Sequence, residues 1–211
     1  MRRIMKIHTF ILAVSLIASA ASAESRFVRF DLPLDVSIEA PQNWWMLSGD
    51  INTAIEAAGE AATKLAEVDL PPGKKVNLLR ANSMPRSTYA SIAVNATDSD
   101  ISPAEVRSLS KSDLEETELY MAEMMGKVLA AQNLKFLELI RLEKRMVSGH
   151  IAIVFDYRRS GPNGPVVVSM TRLFIGSKEI SFNLSYREAE GPLWKPIIEY
   201  MKKSISVENK G

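Results

Sequence analysis

The sequence predicts an α+β domain in which one antiparallel β-sheet carries helices packed against it. Three observations lead there. From Lys135 the hydrophobic period drops from about 3.6 residues to 2, and four extended runs follow, joined by short glycine-bearing connections. Two upstream stretches place apolar residues at i, i+3, i+4 and i+7, and a third such stripe closes the chain. No internal repeat, low-complexity tract or long linker divides these elements, so the order is ββαββαββββα in one domain, residues 24–211.

The first two strands are expected at 27–34 and 36–40, ended by Pro41, Gln42, Asn43 and the pair Trp44 and Trp45. A helix follows over 51–65, with Ile51, Ala54, Ile55, Ala58, Ala62 and Leu65 on its apolar stripe. Runs 76–82 and 88–94, separated by Ser83, Met84, Pro85 and Arg86, read as a hairpin. Capping boxes are expected at Ser102 with Glu105 and at Ser112 with Glu115. The second long helix then runs to about Gln132, with Leu114, Met121, Met124, Met125 and Val128 on one stripe.

The four extended runs, 135–147, 150–158, 165–175 and 179–187, read as a meander turned at Ser148-Gly149, at 160–164 and at Gly176-Ser177. In the last of them Ile180, Phe182, Leu184 and Tyr186 alternate with Ser181, Asn183 and Ser185. One face is therefore expected buried and the other polar or lightly covered. The final helix opens at Gly191-Pro192 and carries Trp194, Ile197, Ile198, Met201 and Ile205.

Ahead of this domain, Arg2, Arg3 and Lys6 precede the apolar run 10–17 and then Ala21-Ser22-Ala23, the pattern of a secretory signal peptide cleaved after Ala23. The run is too short to span a bilayer, which takes about 20 residues, and no later stretch approaches that length. Removing the three leader cations leaves 23 Lys and Arg against 25 Asp and Glu, which takes away the basic footprint that nucleic-acid binding needs. With no Cys among 211 residues, lipid attachment at a thiol, a disulfide framework and thiolate metal or redox chemistry are excluded. A Cys-free exported domain of ordinary globular composition, 46% hydrophobic and 24% charged, fits a bacterial periplasm.

The element order, Ala40-Pro41-Gln42-Asn43-Trp44-Trp45 after the first hairpin, the segment 109–114 before the long helix, and Ser185-Tyr186-Arg187 leading into Trp194 resemble the PsbP-like superfamily. That superfamily takes in extrinsic photosystem proteins, a nuclear Ran-binding protein and exported bacterial proteins of the DcrB kind. The resemblance implies an α/β/α sandwich and a role in binding partners or stabilising complexes. It transfers no ion site, because no residue set here matches one.

Catalytic sets are thin. Once the leader is gone His150 is the remaining histidine; it follows a turn, and no G-x-S-x-G elbow accompanies it. Ser108 and Lys111 satisfy S-x-x-K, yet no S-D-N or K-T-G follows, and a loop between two capped helices explains the segment. Met121, Met124 and Met125 share a helical side suited to Cu(I), but methionines on a core stripe fill irregular apolar space. Glu115-Glu116 and Glu188/Glu190 fall at expected helix N-termini, where negative charge is favoured without catalysis.

Two adjacent tryptophans in a turn do not both enter one core, so one of them is expected at the surface. The residues assigned to a protein partner or ligand are therefore Trp44, Trp45, Arg158, Arg159, Tyr186 and Arg187. The leading functional expectation is an exported, periplasmic, non-enzymatic accessory protein that binds a partner, with no cofactor or metal. A small-ligand or lipid-binding module, its cavity between the sheet and the Met-bearing helix, is the alternative, and a hydrolase using Ser108/Lys111 or His150 the third.

Overall fold

The computed structural model describes residues 26–47, 49–66 and 75–208; the expected leader lies outside the described residues. In chain order the strands and helices are β1 (Phe27–Leu32), β2 (Val36–Pro41), β3 (Trp45–Met46), α1 (Gly49–Leu65), β4 (Val76–Asn82), β5 (Ala90–Asp98), α2 (Pro103–Ser108), α3 (Lys111–Ala130), β6 (Phe136–Val147), β7 (His150–Arg159), β8 (Val166–Ile175), β9 (Lys178–Arg187), α4 (Gly191–Ser204) and β10 (Ser206–Val207). The four late strands form the expected meander, and Ser148 and Gly149 turn its first hairpin with both residues at positive φ, 48° and 81°.

The α+β class and the packing of helices on a large antiparallel sheet are as expected, but the strands form two sheets rather than one. Seven strands lie in the order β3-β4-β5-β9-β8-β7-β6, and β1-β2-β10 form a separate three-stranded sheet. The reason is burial. Val36, Ile38 and Ala40 of β2 are apolar and covered, and the first hairpin satisfies them by stacking over the large sheet instead of extending its edge. β10 then takes the open edge of β2, with Ser206 opposite Ser37 and Val207 opposite Val36.

Alternation along the central strands divides the large sheet into two faces. The inner face, with Ile92 and Val94 of β5, Ile180, Phe182 and Leu184 of β9 and Leu173 of β8, forms one core with β2 and with Trp194, Ile198 and Met201 of α4. On the outer face α3 lays Met121 and Leu129 against Phe155, Tyr157, Val166 and Val168, while Val106 of α2 covers Ile151 and Phe174. Helices therefore lie on both faces. The outer half contributed by β5 and β9 is polar instead, carrying Ser91, Asn95, Ser181, Asn183 and Ser185, which are the residues alternating with the inner core.

Two local expectations change. The cap of α3 is Ser110, two residues before the expected Ser112. Its hydroxyl accepts from Asp113 N at 3.2 Å, and the Asp113 carboxylate returns a bond to Ser110 N at 2.7 Å. Leu109 packs against the core beneath α2, so Ser110 is the first residue free to cap. The apolar stripe of α1 is not buried: Ile51, Ala54, Ile55, Ala58 and Leu65 are all exposed. α1 contacts α3.

A buried ion network fixes α4 to the sheet. Asp156 of β7 accepts from Ser169 Oγ at 2.5 Å and from Arg141 Nε at 3.1 Å. Lys202 of α4, only 4% exposed, lies 3.9 Å from the same carboxylate and bonds Glu199 at 3.0 Å. Removing one member leaves the other charge in a poorly hydrated place, which costs far more than an exposed pair contributes.

Asp156→Ala is expected to lower unfolding free energy by about 3 kcal/mol in urea titrations, and Asp156→Leu with Lys202→Met to recover most of that loss. Tyr157 supplies a second check. Burial pushes its phenol up to about 12, whereas in the unfolded chain it ionises near 10. Its contribution is thus complete below pH ~10 and is lost as the pH rises through ~12. Between pH ~9 and ~11 the wild type is expected to lose about 1.4 kcal/mol more than Tyr157→Phe, read from urea midpoints at each pH.

Candidate functional site

The six residues expected to bind gather at one end of the large sheet, divided between its faces. Trp45 pairs with Asn82, Asn82 with Ser91, and Ser91 with Ser185, so the indole stands on the outer face at the β3 edge. Arg159 and Arg187 lie one row further along that face, each opposite Val166. Arg158 and Tyr186 are one residue out of phase with them and therefore point to the inner side.

Glu190 holds this end together. One carboxylate oxygen accepts from Tyr89 N at 2.8 Å and from the Trp194 indole at 3.1 Å, and the other from the Arg187 guanidinium. Arg187 also reaches Ser87 O at 3.5 Å in the turn between β4 and β5. That turn is closed at its base by Ser83, whose N–H donates to Ala90 O at 2.8 Å and whose hydroxyl accepts from Ala90 N at 2.8 Å. The turn is consequently a fixed platform.

The adjacent tryptophans divide as the sequence suggests. Trp44 is buried and meets Trp194 edge to face, centroids 5.8 Å apart at 79°, an arrangement worth about 1 kcal/mol beyond its buried area. Trp45 remains 38% exposed, and the guanidinium of Arg86 lies 4.3 Å from its ring. Arg86 has no carboxylate partner among the described residues. Met84, in the same turn as Arg86, is also exposed, whereas Met46 pairs with Ala81 and so points to the opposite face from Trp45; the outer platform presents an indole and a cation.

The remaining expected residues are anchored. Arg159 donates to Ser160 O at 2.9 Å and to Tyr89 Oη at 3.4 Å. Arg158 bridges Glu138 at 3.1 Å and Glu188 at 2.7 Å, and those bonds hold its pKa above the ordinary arginine value. Tyr186 packs against the inner core, where burial, with the carboxylates of Glu199, Glu188 and Asp156 behind it, pushes its phenol up.

The catalytic candidates are not assembled. Ser108 Oγ donates to Glu105 O at 2.8 Å within its own helix, while Lys111 points to Glu115 at 3.5 Å. His150 pairs with Val147 at the opposite end of β7 from Arg159. Met121, Met124 and Met125 belong to the outer apolar cluster with Phe155 and Tyr157, which places the Met-bearing helix directly on the sheet. A hollow of about 190 Å³ lies elsewhere, lined by Pro33, Leu34, Val76, Leu78, Ala96, Thr97 and Lys178, and is smaller than the usual drug-sized pocket. Arg86 and Glu190 matter here without having been singled out for binding; the signal was adjacency, since Arg86 ends the predicted turn and Glu190 precedes the Trp194 helix.

No protein-family model and no curated protein matches the chain. Among solved structures it is similar to the cyanobacterial PsbP protein, CyanoP, from Synechocystis sp. PCC 6803, with 14% identity, 92% of this chain and 99% of that one covered, and a TM-score of 0.54. It is also similar to a protein of unknown function from Pseudomonas aeruginosa, at 13% identity, coverage of 88% and 99% and a TM-score of 0.42. A third is LpqN of Mycobacterium tuberculosis, described as involved in cell envelope biogenesis, at 12%, 86% and 90%, and 0.46. The CyanoP likeness shows that the fold is PsbP-like, as the sequence resemblance implied. Among the described residues no helix is long and apolar enough to cross a membrane.

The split between the tryptophans is directly measurable. Iodide is expected to quench one part of the tryptophan fluorescence, and Trp45→Phe to abolish that part while changing stability by no more than about 0.5 kcal/mol. Trp44→Ala, which opens a cavity against Trp194, is expected to cost about 3 to 5 kcal/mol in the same urea titration.

Proposed function

We propose that this chain is an exported, periplasmic, non-enzymatic accessory protein that holds a protein partner through the platform around Trp45. The observation that carries this reading is the exposed indole of Trp45 lying beneath the Arg86 guanidinium, next to a second tryptophan that is fully committed to the core. Tryptophan and arginine dominate the energetics of protein interfaces, because each brings a large rigid contact area together with a polar handle. A side chain of this size left in water forgoes about 2 kcal/mol or more of burial, which a partner restores.

The partner's chemistry follows from what the platform lacks. Trp45 calls for an apolar side chain, and Arg86 for a carboxylate beside it. The platform is preorganised by the Ser83 closure and the Glu190 bonds, so docking orders few additional groups. The PsbP-like fold supports an accessory role by analogy of fold alone.

A photo-crosslinking amino acid at position 45, in protein exported with its own leader, tests the proposal. One discrete protein adduct is expected, absent when Arg86 is changed to Glu and absent when the crosslinker stands at Tyr120 on the exposed side of α3. Identical adducts at both positions, or an adduct indifferent to Arg86→Glu, would show that the platform selects nothing.

A further inference from the structure

The large sheet ends at β6, whose outward side has no neighbouring strand among the described residues. An open edge presents unpaired backbone donors and acceptors, a template for another strand unless it is broken up or covered. The first half of β6 is broken up. Its register with β7 shifts between Phe136 and Glu138 and again between Leu139 and Arg141, which leaves Leu137 and Ile140 as bulged residues. From Arg141 to Val147 the pairing runs without interruption. The Ser148-Gly149 turn has two residues, both at positive φ, so Val147 and His150 form the hydrogen-bonded pair that closes the hairpin. Val147, Arg145 and Glu143 therefore spend their backbone groups on β7, and Met146, Lys144 and Leu142 turn theirs to the open edge. Water reaches this stretch from both faces, since Met146 on the outer face is 55% exposed and the Glu143 side chain on the inner face 41%.

Arg145 is the residue this edge leaves incomplete. Among the described residues the Nε atoms of Arg145 and Arg158 are buried without a hydrogen bond. Arg158 is compensated at its terminal nitrogens by Glu138 and Glu188, whereas the Arg145 side chain has neither a hydrogen bond nor an ion pair. A guanidinium half sunk against a sheet with no carboxylate is unfavourable, and a carboxylate brought from outside to its terminal nitrogens relieves it. Glu143, two residues back on the same face, is correspondingly underused. It has one contact of 3.3 Å, to an Arg141 that Asp156 already holds.

One register of a second copy meets these needs together. Antiparallel pairing of β6 with β6 about a twofold axis at Lys144 sets Glu143 opposite Arg145 of the second copy, and Arg145 opposite its Glu143. On the other face the exposed Met146 is covered by Leu142 of the second copy. The backbone agrees, because Leu142, Lys144 and Met146 are the residues this register bonds across the edge. The two Lys144 chains that meet at the axis are turned aside: Nζ donates to Arg107 O at 2.8 Å and to Leu109 O, at the end of α2. Neighbouring registers fail. An axis at Glu143 or at Arg145 sets like charges face to face, and one at Leu142 places Arg145 opposite Leu139, across the Ile140 bulge.

We propose that residues 141–147 of β6 are a homodimer edge, along which two copies of this chain join their large sheets into one. The Trp45 platform lies on β3 at the opposite margin, so it stays open in both copies and its own test is independent of this one. Sedimentation velocity of the exported protein over about 1 μM to 1 mM is expected to show monomer passing to dimer, the range of a small interface. Glu143→Arg and Arg145→Glu each oppose like charges across the axis, and each is expected to raise the dissociation constant by about tenfold or more. An equimolar mixture of the two is expected to dimerise again, because every 143–145 pair is then opposite in charge. Thermal melts establish that both variants are folded. Hydrogen exchange gives a readout that needs no substitution: the amides of Leu142, Lys144 and Met146 are expected to slow with rising protein concentration. A wild type that stays monomeric through about 1 mM, a dimer indifferent to both substitutions, a mixture of the two folded variants that stays monomeric, or edge amides indifferent to concentration would overturn the assignment.

Discussion

The two-sidedness of β5 and β9 is the constraint from which the rest of the molecule follows. These strands sit at the middle of the large sheet and cannot give both faces the same chemistry, because successive side chains point opposite ways. Ile92, Val94, Ile180, Phe182 and Leu184 take the inner side and create the surface on which the first hairpin and α4 assemble. The outer side is left to Ser91, Asn95, Ser181, Asn183 and Ser185. The apolar contacts of α3 accordingly lie over β6 to β8.

Charge is placed to lock the layers at their margins instead of filling the middle. Asp156 joins β6, β7 and β8 to α4 through Arg141, Ser169 and Lys202, and Glu190 joins the turn before β5, β9 and α4 through Tyr89, Arg187 and Trp194. Each carboxylate accepts from several donors, the condition under which a buried charge is tolerable. Between them they set where α4 lies, and with it the depth at which Trp194 meets Trp44.

The long elements were legible because their periods are long enough to read. Strands of ten residues such as β7, β8 and β9 repeat their alternation several times, and the division of β9 into a buried and a polar face came directly from Ile180 to Tyr186. β3 and β10 contain two residues each, too few for any period, and both owe their existence to a neighbouring edge in need of a partner. The second sheet was hidden for the same reason: a hairpin's pattern announces an apolar side but not the surface that covers it. α1 makes the point in reverse, since Ile51, Ala54 and Ile55 form a stripe that meets no core. At the candidate site the exposure of one tryptophan was foreseeable from crowding, whereas the seating of Arg86 over it depends on the register of β3 with β4, which no local pattern encodes.

The small sheet carries a consequence for how the chain reaches its final form. β2 lies between the first strand and the last, and Ser37 bonds Ser206 across a separation of 169 residues. Synthesis from the amino end delivers β1 and β2 first, with Val36, Ile38 and Ala40 ready to be covered. Their cover, α4 and β10, is the last part to emerge. The apolar side of that hairpin therefore stays wet until the carboxyl end has been made, and that interval is when the chain is most exposed to misassociation.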